Sequence, residues 1–188
     1  MRVIAGKYRS CPLQSLRGLD LRPTADRLRE TLFDVLTAGN PWALEGTVWI
    51  DLFAGTGAVG IEALSRGTGI VYFVEASARA AELIEKNLRS LKIEAGFQIL
   101  KQDASRAIHR LGGENVQADV VFLDPPYRME QAYSHTLKAL AASRLLKPTG
   151  VVIAEHHKKF DTPVEIGSLR RYRLLQQGDA ALSFYRVR

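Results

Sequence analysis

The sequence predicts an α/β protein with a mostly parallel, doubly wound sheet, and three observations carry this prediction. Residues 48–53 form a short apolar run that precedes a helical stretch, and glycines at positions 55, 57 and 60 lie between them. Apolar runs and helical stretches then alternate up to residue 154, as expected when crossovers join parallel strands. The last two apolar runs, 171–175 and 181–186, have no helix between them, which predicts an antiparallel hairpin.

The G-x-G-x-x-G spacing is typical of a loop that holds an adenosine-bearing cofactor near a helix N-terminus. Gly55 and Gly57 allow a sharp turn and let a ligand approach the backbone closely. Glu75 ends the next apolar run about twenty residues later, where a ribose-binding acid is expected. Three glycines alone are weak evidence, and an ordinary tight turn followed by a surface glutamate is the alternative.

The remaining elements follow from periodicity and turn residues. Behind Pro23, apolar residues at helical spacing predict a helix that ends before residue 39, with Arg27 and Arg29 pointing away from the core. Lys147 to Gly150 read as a turn, and His156 as part of a solvated loop. The predicted strands are 48–53, 70–74, 97–100, 120–123, 151–154, 171–175 and 181–186, and the later helices are 58–66, 78–91, 105–111 and 131–143.

Charge and composition narrow the class of protein. The 188-residue chain has a net charge of +6, and residues 1–30 and 156–188 each hold seven Lys or Arg against three Asp or Glu. Basic ends suggest a polyanionic partner such as nucleic acid, although solubility alone could explain them. With one cysteine, Cys11, and no apolar run of membrane-spanning length, we expect a soluble cytoplasmic monomer without an internal disulfide.

The most specific motif is Asp124-Pro125-Pro126-Tyr127, which ends the apolar run at residues 120–123. Each proline fixes φ and lacks an N–H group, so the turn is rigid. The Asp124 carboxylate and the Pro125 carbonyl could then accept hydrogen bonds from an incoming amino group, while Tyr127 offers a face on which a planar base can stack. A double proline that merely ends a strand is the alternative.

The glycine loop with Asp51 and the Asp-Pro-Pro-Tyr turn together resemble class I methyltransferases that use S-adenosylmethionine (SAM) to modify exocyclic amino groups. Blocks at residues 2–7, 21–33, 62–67 and 178–185 are similar to the RsmD family of bacterial 16S rRNA guanine-N2 methyltransferases. The resemblance implies a Rossmann-like, seven-stranded sheet and a guanine target presented by an assembled small-subunit particle. The helix break at residues 39–41 separates a basic appendage, 1–42, from residues 43–188, which the resemblance identifies as a SAM-dependent methyltransferase domain.

The resemblance also implies roles for individual residues. Glu75 would bind the ribose and Asp103 the adenine amino group, while Asp51 would contact the amine of the methionine part directly or through water. No metal is expected. The full set of expected cofactor-binding residues is Asp51, Phe53, Ala54, Gly55, Thr56, Gly57, Glu75, Asp103 and Ala104. The expected catalytic residues are Asp124, Pro125, Pro126 and Tyr127, and the candidates for rRNA phosphate contacts are Arg2, Lys7, Arg9, Arg22, Arg27 and Arg29.

Three other functions fit part of the sequence. The Asp-Pro-Pro-Tyr turn suits any planar amino group, so methylation of adenine N6 in DNA or RNA, or of a protein amide, stays open. An NAD-dependent dehydrogenase would share the glycine loop but not Asp51 before it, the proline turn or the closing hairpin. A non-enzymatic RNA-binding module would have no need of an intact Asp124 and glycine loop.

Overall fold

A computed structural model describes residues 1–15, 23–126 and 129–188 of the chain. Helices and strands alternate as far as the fifth strand, and only strands follow. No helix within these ranges is long and apolar enough to cross a membrane. In chain order the elements are α1 (Pro23–Thr37), β1 (Val48–Asp51), α2 (Ala58–Ser65), β2 (Ile70–Val74), α3 (Ala78–Ser90), β3 (Phe97–Leu100), α4 (Ala104–Gly113), β4 (Ala118–Leu123), α5 (Glu130–Ala142), β5 (Leu146–His157), β6 (Glu165–Ile166), β7 (Leu169–Gln177) and β8 (Ala180–Val187).

The described strands form one sheet in the order β3-β2-β1-β4-β5-β8-β7-β6. β1 to β5 pair in parallel, whereas β8, β7 and β6 complete the sheet in antiparallel pairs. Strand order reverses between β1 and β4, and the crevice outside the carboxyl ends at such a point is the usual ligand site of open α/β sheets. The predicted Rossmann-like fold with an antiparallel C-terminal hairpin is confirmed.

The sheet has eight strands in the described ranges, not the seven predicted. The additional strand is β6, which pairs with the start of β7 through Glu165–Arg170 and Ile166–Leu169. Gly167 has φ +55° in the two-residue connection between them. Two residues are too few to show an alternating pattern, so this edge strand leaves no trace in the hydropathy of the sequence.

The fifth strand is longer than the sequence suggests. Residues 147–150, predicted as a turn, lie within β5, and the register with β4 shifts from Ala118–Leu146 to Val120–Val151. The extra residues on β5 form an irregularity that accommodates Pro148, as bulges commonly do. At the other end, pairing with β8 extends β5 as far as His157.

This extension also changes the surroundings of His156. The residue was expected in a solvated loop, but it is buried and its Nε2 atom lies 2.9 Å from Ser183 Oγ on β8. Its Nδ1 atom is 3.0 Å from the His157 carbonyl oxygen. Continued strand pairing, which brings β8 alongside, explains why this polar residue is removed from solvent.

Alternate residues of the central strands pack into two apolar layers on opposite faces of the sheet. Val120 and Phe122 belong to the layer that includes α1, α2 and α3, whereas Val121 and Leu123 belong to the layer with α4 and α5. Trp49 of β1 is fully buried in the first layer and stacks on Phe33 of α1 with 5.3 Å between ring centroids. The α1 helix is thereby fixed against the sheet.

Residues 1–15, which we call the arm, are bound to the outer side of α2. The buried Glu62 side chain accepts hydrogen bonds from the backbone N–H groups of Ile4 and Ala5, at 2.7 and 3.0 Å, and from Arg66 Nε at 2.8 Å. Gly6 has φ +80°, and a Cβ atom there would lie 1.9 Å from the Ser65 carbonyl oxygen. Only glycine therefore lets the arm approach α2 this closely.

A second buried side chain holds the far end of the arm. Asn87 of α3 accepts a hydrogen bond from Gln14 N and donates to Gln14 O, while its amide also donates to the Thr56 carbonyl at 2.9 Å. Val3 and Leu13 are buried in the same apolar layer as α1. These contacts explain how the arm is attached, whereas the division of the chain at residue 42 stays a prediction.

The role of Glu62 can be tested by its removal. Glu62→Ala leaves Arg66 without its buried partner and two arm N–H groups without an acceptor, so we expect unfolding to become easier by about 3–5 kcal/mol. Urea denaturation of both proteins measures this change. Glu82→Ala, at an exposed position of α3, should change stability by less than about 0.5 kcal/mol; equal stabilities of the two variants would contradict the proposed anchor.

Candidate active site

A cavity of about 640 Å³ opens at the carboxyl edge of the sheet, beside the reversal of strand order. This volume is in the range of small-molecule and cofactor sites. The residues that line it follow four neighbouring strands, and they include Gly55, Glu75, Asp103 and Asp124. The fold thus brings together side chains that are far apart in the sequence.

The glycine loop is shaped by close packing between α2 and the sheet. Gly57 has φ +79° and immediately precedes α2, and a Cβ atom at this position would lie 3.2 Å from the Ile84 side chain. At Gly60, in the first turn of α2, a Cβ atom would lie 2.3 Å from Phe73 Cε1. The third glycine of the motif therefore allows helix and strand to approach, and the second allows the turn.

Asp51 stabilises this loop through a hydrogen bond to α2. It is the last residue of β1, its side chain is buried, and Asp51 Oδ2 accepts a hydrogen bond of 3.1 Å from Gly60 N. Burial raises the pKa of Asp51 to about 7, the Gly60 hydrogen bond opposes that shift, and the nearby Asp124 and Glu75 add to it. The carboxyl group is thus positioned mainly by α2, because its described hydrogen bond is to that helix.

Glu75 connects the loop to the end of β2. Its two carboxylate oxygens accept hydrogen bonds of 2.8 Å, one from Gly55 N and the other from Ser77 N. Each oxygen keeps a second lone pair, so the carboxylate can still accept from a ligand hydroxyl in the cavity. Glu75 directly follows β2 and lines the cavity, and its predicted role in binding the ribose stays a prediction.

Two polar side chains stand where β3 ends. Asp103 caps α4, since its Oδ1 accepts a 2.9 Å hydrogen bond from Arg106 N, and its side chain remains about half exposed. Gln102 also lines the cavity, and its Nε2 atom is buried without a hydrogen-bond partner in the described part of the chain. A buried donor is costly to leave unpaired, so this amide is available to donate to a polar group of a ligand in the cavity.

The proline turn follows β4 directly. Pro125 is buried and its carbonyl oxygen accepts a 3.2 Å hydrogen bond from the hydroxyl of Tyr133, a fully buried residue of α5. Pro126 is exposed, and its carbonyl accepts from Met129 N at 2.7 Å. The direction of the Pro125 carbonyl is therefore fixed by α5, and its second lone pair remains available to a ligand.

Asp124 is only partly buried, yet its carboxyl group has no hydrogen-bond partner among residues 1–15, 23–126 and 129–188. Removal from water raises the pKa of Asp124 to about 7. A carboxyl group with such a pKa changes protonation near neutral pH, which suits a group that exchanges a proton with a substrate. Because no described residue is hydrogen-bonded to this carboxyl group, its oxygens can accept from a ligand that enters the cavity.

Only some of the predicted cofactor-binding residues line the cavity. The predicted residues that line the cavity are Phe53, Gly55, Glu75, Asp103 and Ala104. The other predicted residues are not among the described lining residues: Asp51 at the end of β1, and Ala54, Thr56 and Gly57 in the loop before α2. Asp124, Pro125 and Pro126 also line the cavity, while Tyr127 lies outside the described residues.

The sequence interpretation missed three residues of this region: Gln102, Tyr133 and Glu155. Glu155 had a detectable pattern, because it ends the apolar run of β5 as Asp51, Glu75 and Asp124 end those of β1, β2 and β4. Gln102 directly precedes Asp103 and could have been included with it. Tyr133 has no comparable pattern, since a tyrosine within an amphipathic helix is ordinarily a packing residue.

The predicted RNA-binding residues differ in exposure. Arg2, Lys7, Arg9 and Arg27 are exposed, and Arg22 lies outside the described residues. Arg29, expected to point away from the core, is instead buried. Its Nη2 atom donates to the Arg2 carbonyl at 2.6 Å and to Asp26 Oδ1 at 3.1 Å. Arg29 is therefore held inside the protein and is not available to a phosphate.

Comparison with known proteins identifies the family. The family model described as conserved hypothetical protein 95 matches residues 1–186. A putative rRNA methyltransferase from Bacillus subtilis is 33% identical over 188 residues, which is all of both chains. A ribosomal RNA small subunit methyltransferase D from Haemophilus influenzae is 33% identical over 187 residues, covering 100% of this chain and 92% of that protein. The chain belongs to the RsmD family.

A solved structure supports the same assignment. The putative methyltransferase from Escherichia coli has a TM-score of 0.80 and 25% identity, with 98% of this chain and 96% of that chain covered. Since the RsmD family match includes the arm and the C-terminal hairpin, it extends well beyond the glycine loop and the proline turn. This chain therefore has both the family membership and the fold of a methyltransferase.

The packing of the glycine loop gives a stability test. Gly60→Ala places a methyl group against Phe73 in a tightly packed region, so we expect a loss of about 1–3 kcal/mol in unfolding free energy. Gly112→Ala is the matched control, because it lies in α4, where an added Cβ atom would meet no other atom within 4 Å, and it should gain up to about 1 kcal/mol. Thermal unfolding of both variants gives the comparison. A Gly60→Ala protein as stable as Gly112→Ala would show that a methyl group fits beside Phe73 without cost.

Proposed function

We propose that the protein transfers a methyl group from SAM to the exocyclic N2 of a guanine in 16S rRNA. The observation that carries the proposal is the rigid turn at Asp124 and Pro125, which presents at the cofactor-sized cavity an oriented carbonyl and a carboxyl group that is not hydrogen-bonded to any described residue. Two acceptors at one place match the two hydrogens of an amino group. The names of the rRNA methyltransferases in the same family support rRNA as the substrate class.

The residues of the cavity fit SAM as the cofactor. Glu75 would accept from the ribose hydroxyls and Asp103 from the adenine amino group. Gln102 Nε2, which has no partner in the described part of the chain, could donate to an acceptor on the adenine. The acidic groups around the cavity also favour a cation, and SAM carries a sulfonium. When bound, SAM supplies an electrophilic methyl group.

Two acceptor groups of the protein would then make the amino nitrogen a better nucleophile. The lone pair of a guanine amino group is normally delocalised into the base, which makes it a poor nucleophile. Hydrogen bonds from the two N–H groups to Asp124 and to the Pro125 carbonyl favour a pyramidal nitrogen with its lone pair directed out of the ring plane. As the nitrogen acquires the methyl group it becomes cationic, and Asp124 accepts the proton that is released. Positioning and electrostatics supply most of the effect.

The exposed cations of the arm and α1 suit the substrate. Arg2, Lys7, Arg9 and Arg27 would contact rRNA phosphates, with Lys7 Nζ lying 5.3 Å from the centroid of the Tyr8 ring. The target base would be extruded from its stack into the site, where Tyr127 would stack on it. We propose that this takes place in the cytoplasm, on a small-subunit particle, with the enzyme as a monomer.

The decisive experiment is methyl transfer from labelled SAM to 30S particles that lack their own modifications, with identification of the product nucleoside. We expect N2-methylguanosine in 16S rRNA. Asp124→Asn keeps the shape of the side chain but removes the charged acceptor, so kcat should fall by about 10²- to 10³-fold while SAM affinity is retained.

Glu82→Gln, an exposed change of the same type on α3, serves as the control and should retain the wild-type rate. The same acceptor pair also fits the 6-amino group of adenine. Formation of N6-methyladenosine, or labelling of DNA or protein instead of RNA, would keep the fold and reject the proposed substrate.

The raised pKa of Asp124 predicts a pH dependence. Only the ionised carboxyl group can take the proton from the methylated nitrogen, so kcat/KM for the RNA should rise with pH and level off above about 7. Well below that pH the rate should fall by about tenfold per pH unit. A pH–rate profile between pH 5 and 9, in buffers of constant ionic strength, makes the measurement; a rate independent of pH across this window would exclude Asp124 as the proton acceptor.

A further inference from the structure

Glu155 stands beside Asp124 at the carboxyl edge of the sheet. β4 and β5 are parallel neighbours, and their register pairs Leu123 with Ala154, so the next residue on each strand is Asp124 and Glu155. Phe122 and Ile153, two positions earlier, both face the layer that contains α1. Because side chains alternate along strands, the two acids also face that layer.

Glu155 has the features of a carboxyl group that is available to bind a ligand. It is only partly buried, and it has no hydrogen bond or ion pair in the described ranges 1–15, 23–126 and 129–188. Desolvation raises its pKa well above the usual value, the neighbouring Asp124 and Asp51 raise it further, and Arg29 acts in the opposite direction. A desolvated carboxyl group without a partner destabilises the fold, and such groups are found mainly at functional sites.

The position of Glu155 relative to the cavity indicates what it could bind. Asp124 lines the cofactor cavity, whereas Glu155 is not among the described residues that line it. The reacting amino group must lie between Asp124 and the cofactor, so the rest of the base extends past Asp124 on its other side. In guanine, the group next to the 2-amino group on the same edge is N1–H, a second donor.

We propose that Asp124 and Glu155 form one subsite for the Watson–Crick edge of guanine, in which Asp124 accepts from the 2-amino group and Glu155 accepts from N1–H. The proposal rests on the function proposed above and assigns base selectivity to Glu155. Adenine presents a lone pair at N1, which would face the oxygens of Glu155 without a hydrogen. Even when the two carboxyl groups share one proton, each keeps oxygen lone pairs that can accept a hydrogen bond.

The base analogue 2-aminopurine keeps the 2-amino group but lacks N1–H and the 6-oxo group, so the change in preference between wild type and a Glu155 variant tests the N1–H contact. It is placed in 16S rRNA at the nucleotide where product analysis finds N2-methylguanosine. We expect wild-type kcat/KM to favour guanine over 2-aminopurine by about 10- to 100-fold, the usual effect of a hydrogen bond to a charged group. Any intrinsic difference in reactivity between the two bases is the same for every variant and cancels in the comparison.

Glu155→Met removes the acceptor while keeping a side chain of similar length. Its kcat/KM for guanine should fall by about 10- to 100-fold, and its preference for guanine over 2-aminopurine should shrink from the wild-type value by about the same factor, with unchanged SAM affinity by calorimetry. Glu155→Gln keeps an acceptor oxygen without the charge, so it should retain a weaker preference for guanine. Glu82→Gln, the exposed control, should retain the full wild-type preference.

The outcomes separate this inference from the proposed function. If wild type forms N2-methylguanosine but Glu155→Met slows both substrates equally, Glu155 has a structural role and the subsite is rejected. Wild-type rates in Glu155→Met reject it as well. If wild type forms N6-methyladenosine, the function itself is wrong, and Glu155 would instead be protonated and donate to N1 of adenine.

Discussion

The structure depends on the close packing of α2 against the sheet. This short helix is buried on most of its surface, and Gly60 allows it to contact Phe73 at a distance that any side chain would prevent. The same helix positions the glycine loop through Gly60 N and Asp51, and it binds the arm through Glu62 and Ser65. One contact between a helix and a strand thus determines both the conformation of the glycine loop and the path of the N-terminal residues.

Much of this arrangement can be predicted from the sequence because it depends on local patterns. The glycine loop, the parallel strands and the C-terminal hairpin follow from periodicity and from turn residues such as Gly178. The position of Glu75 follows from its spacing after the loop. In each case the residues that determine the feature lie within a few positions of it or at a distance set by one βαβ unit.

The features that could not be predicted depend on contacts between distant segments. β5 continues through Pro148 because β4 accommodates an irregularity, and it reaches His157 because β8 pairs with it. Arg29 was expected to point away from the core, although the core residues Leu32 and Phe33 follow it at helical spacing. It is buried because the arm and α2 lie against that side of α1. The hydrogen bond between Asp51 and Gly60 is a tertiary contact that spacing alone does not reveal, while the predicted contact of Asp51 with the cofactor stays a prediction.

The burial of Arg29 has an electrostatic consequence for the site. Burial of a guanidinium is costly unless it is paired, and here Asp26 lies at 3.1 Å and the fully buried Glu62 at 3.9 Å. Its positive charge also favours the ionised form of Glu155, which faces the like charges of Asp124 and Asp51. A cation held inside the fold, with no side-chain freedom to follow an rRNA phosphate, thus offsets part of the repulsion among the acids at the carboxyl edge. Arg29 also donates to the Arg2 carbonyl. The arm, which carries exposed cations, is therefore hydrogen-bonded to the same residue that favours the ionised form of Glu155.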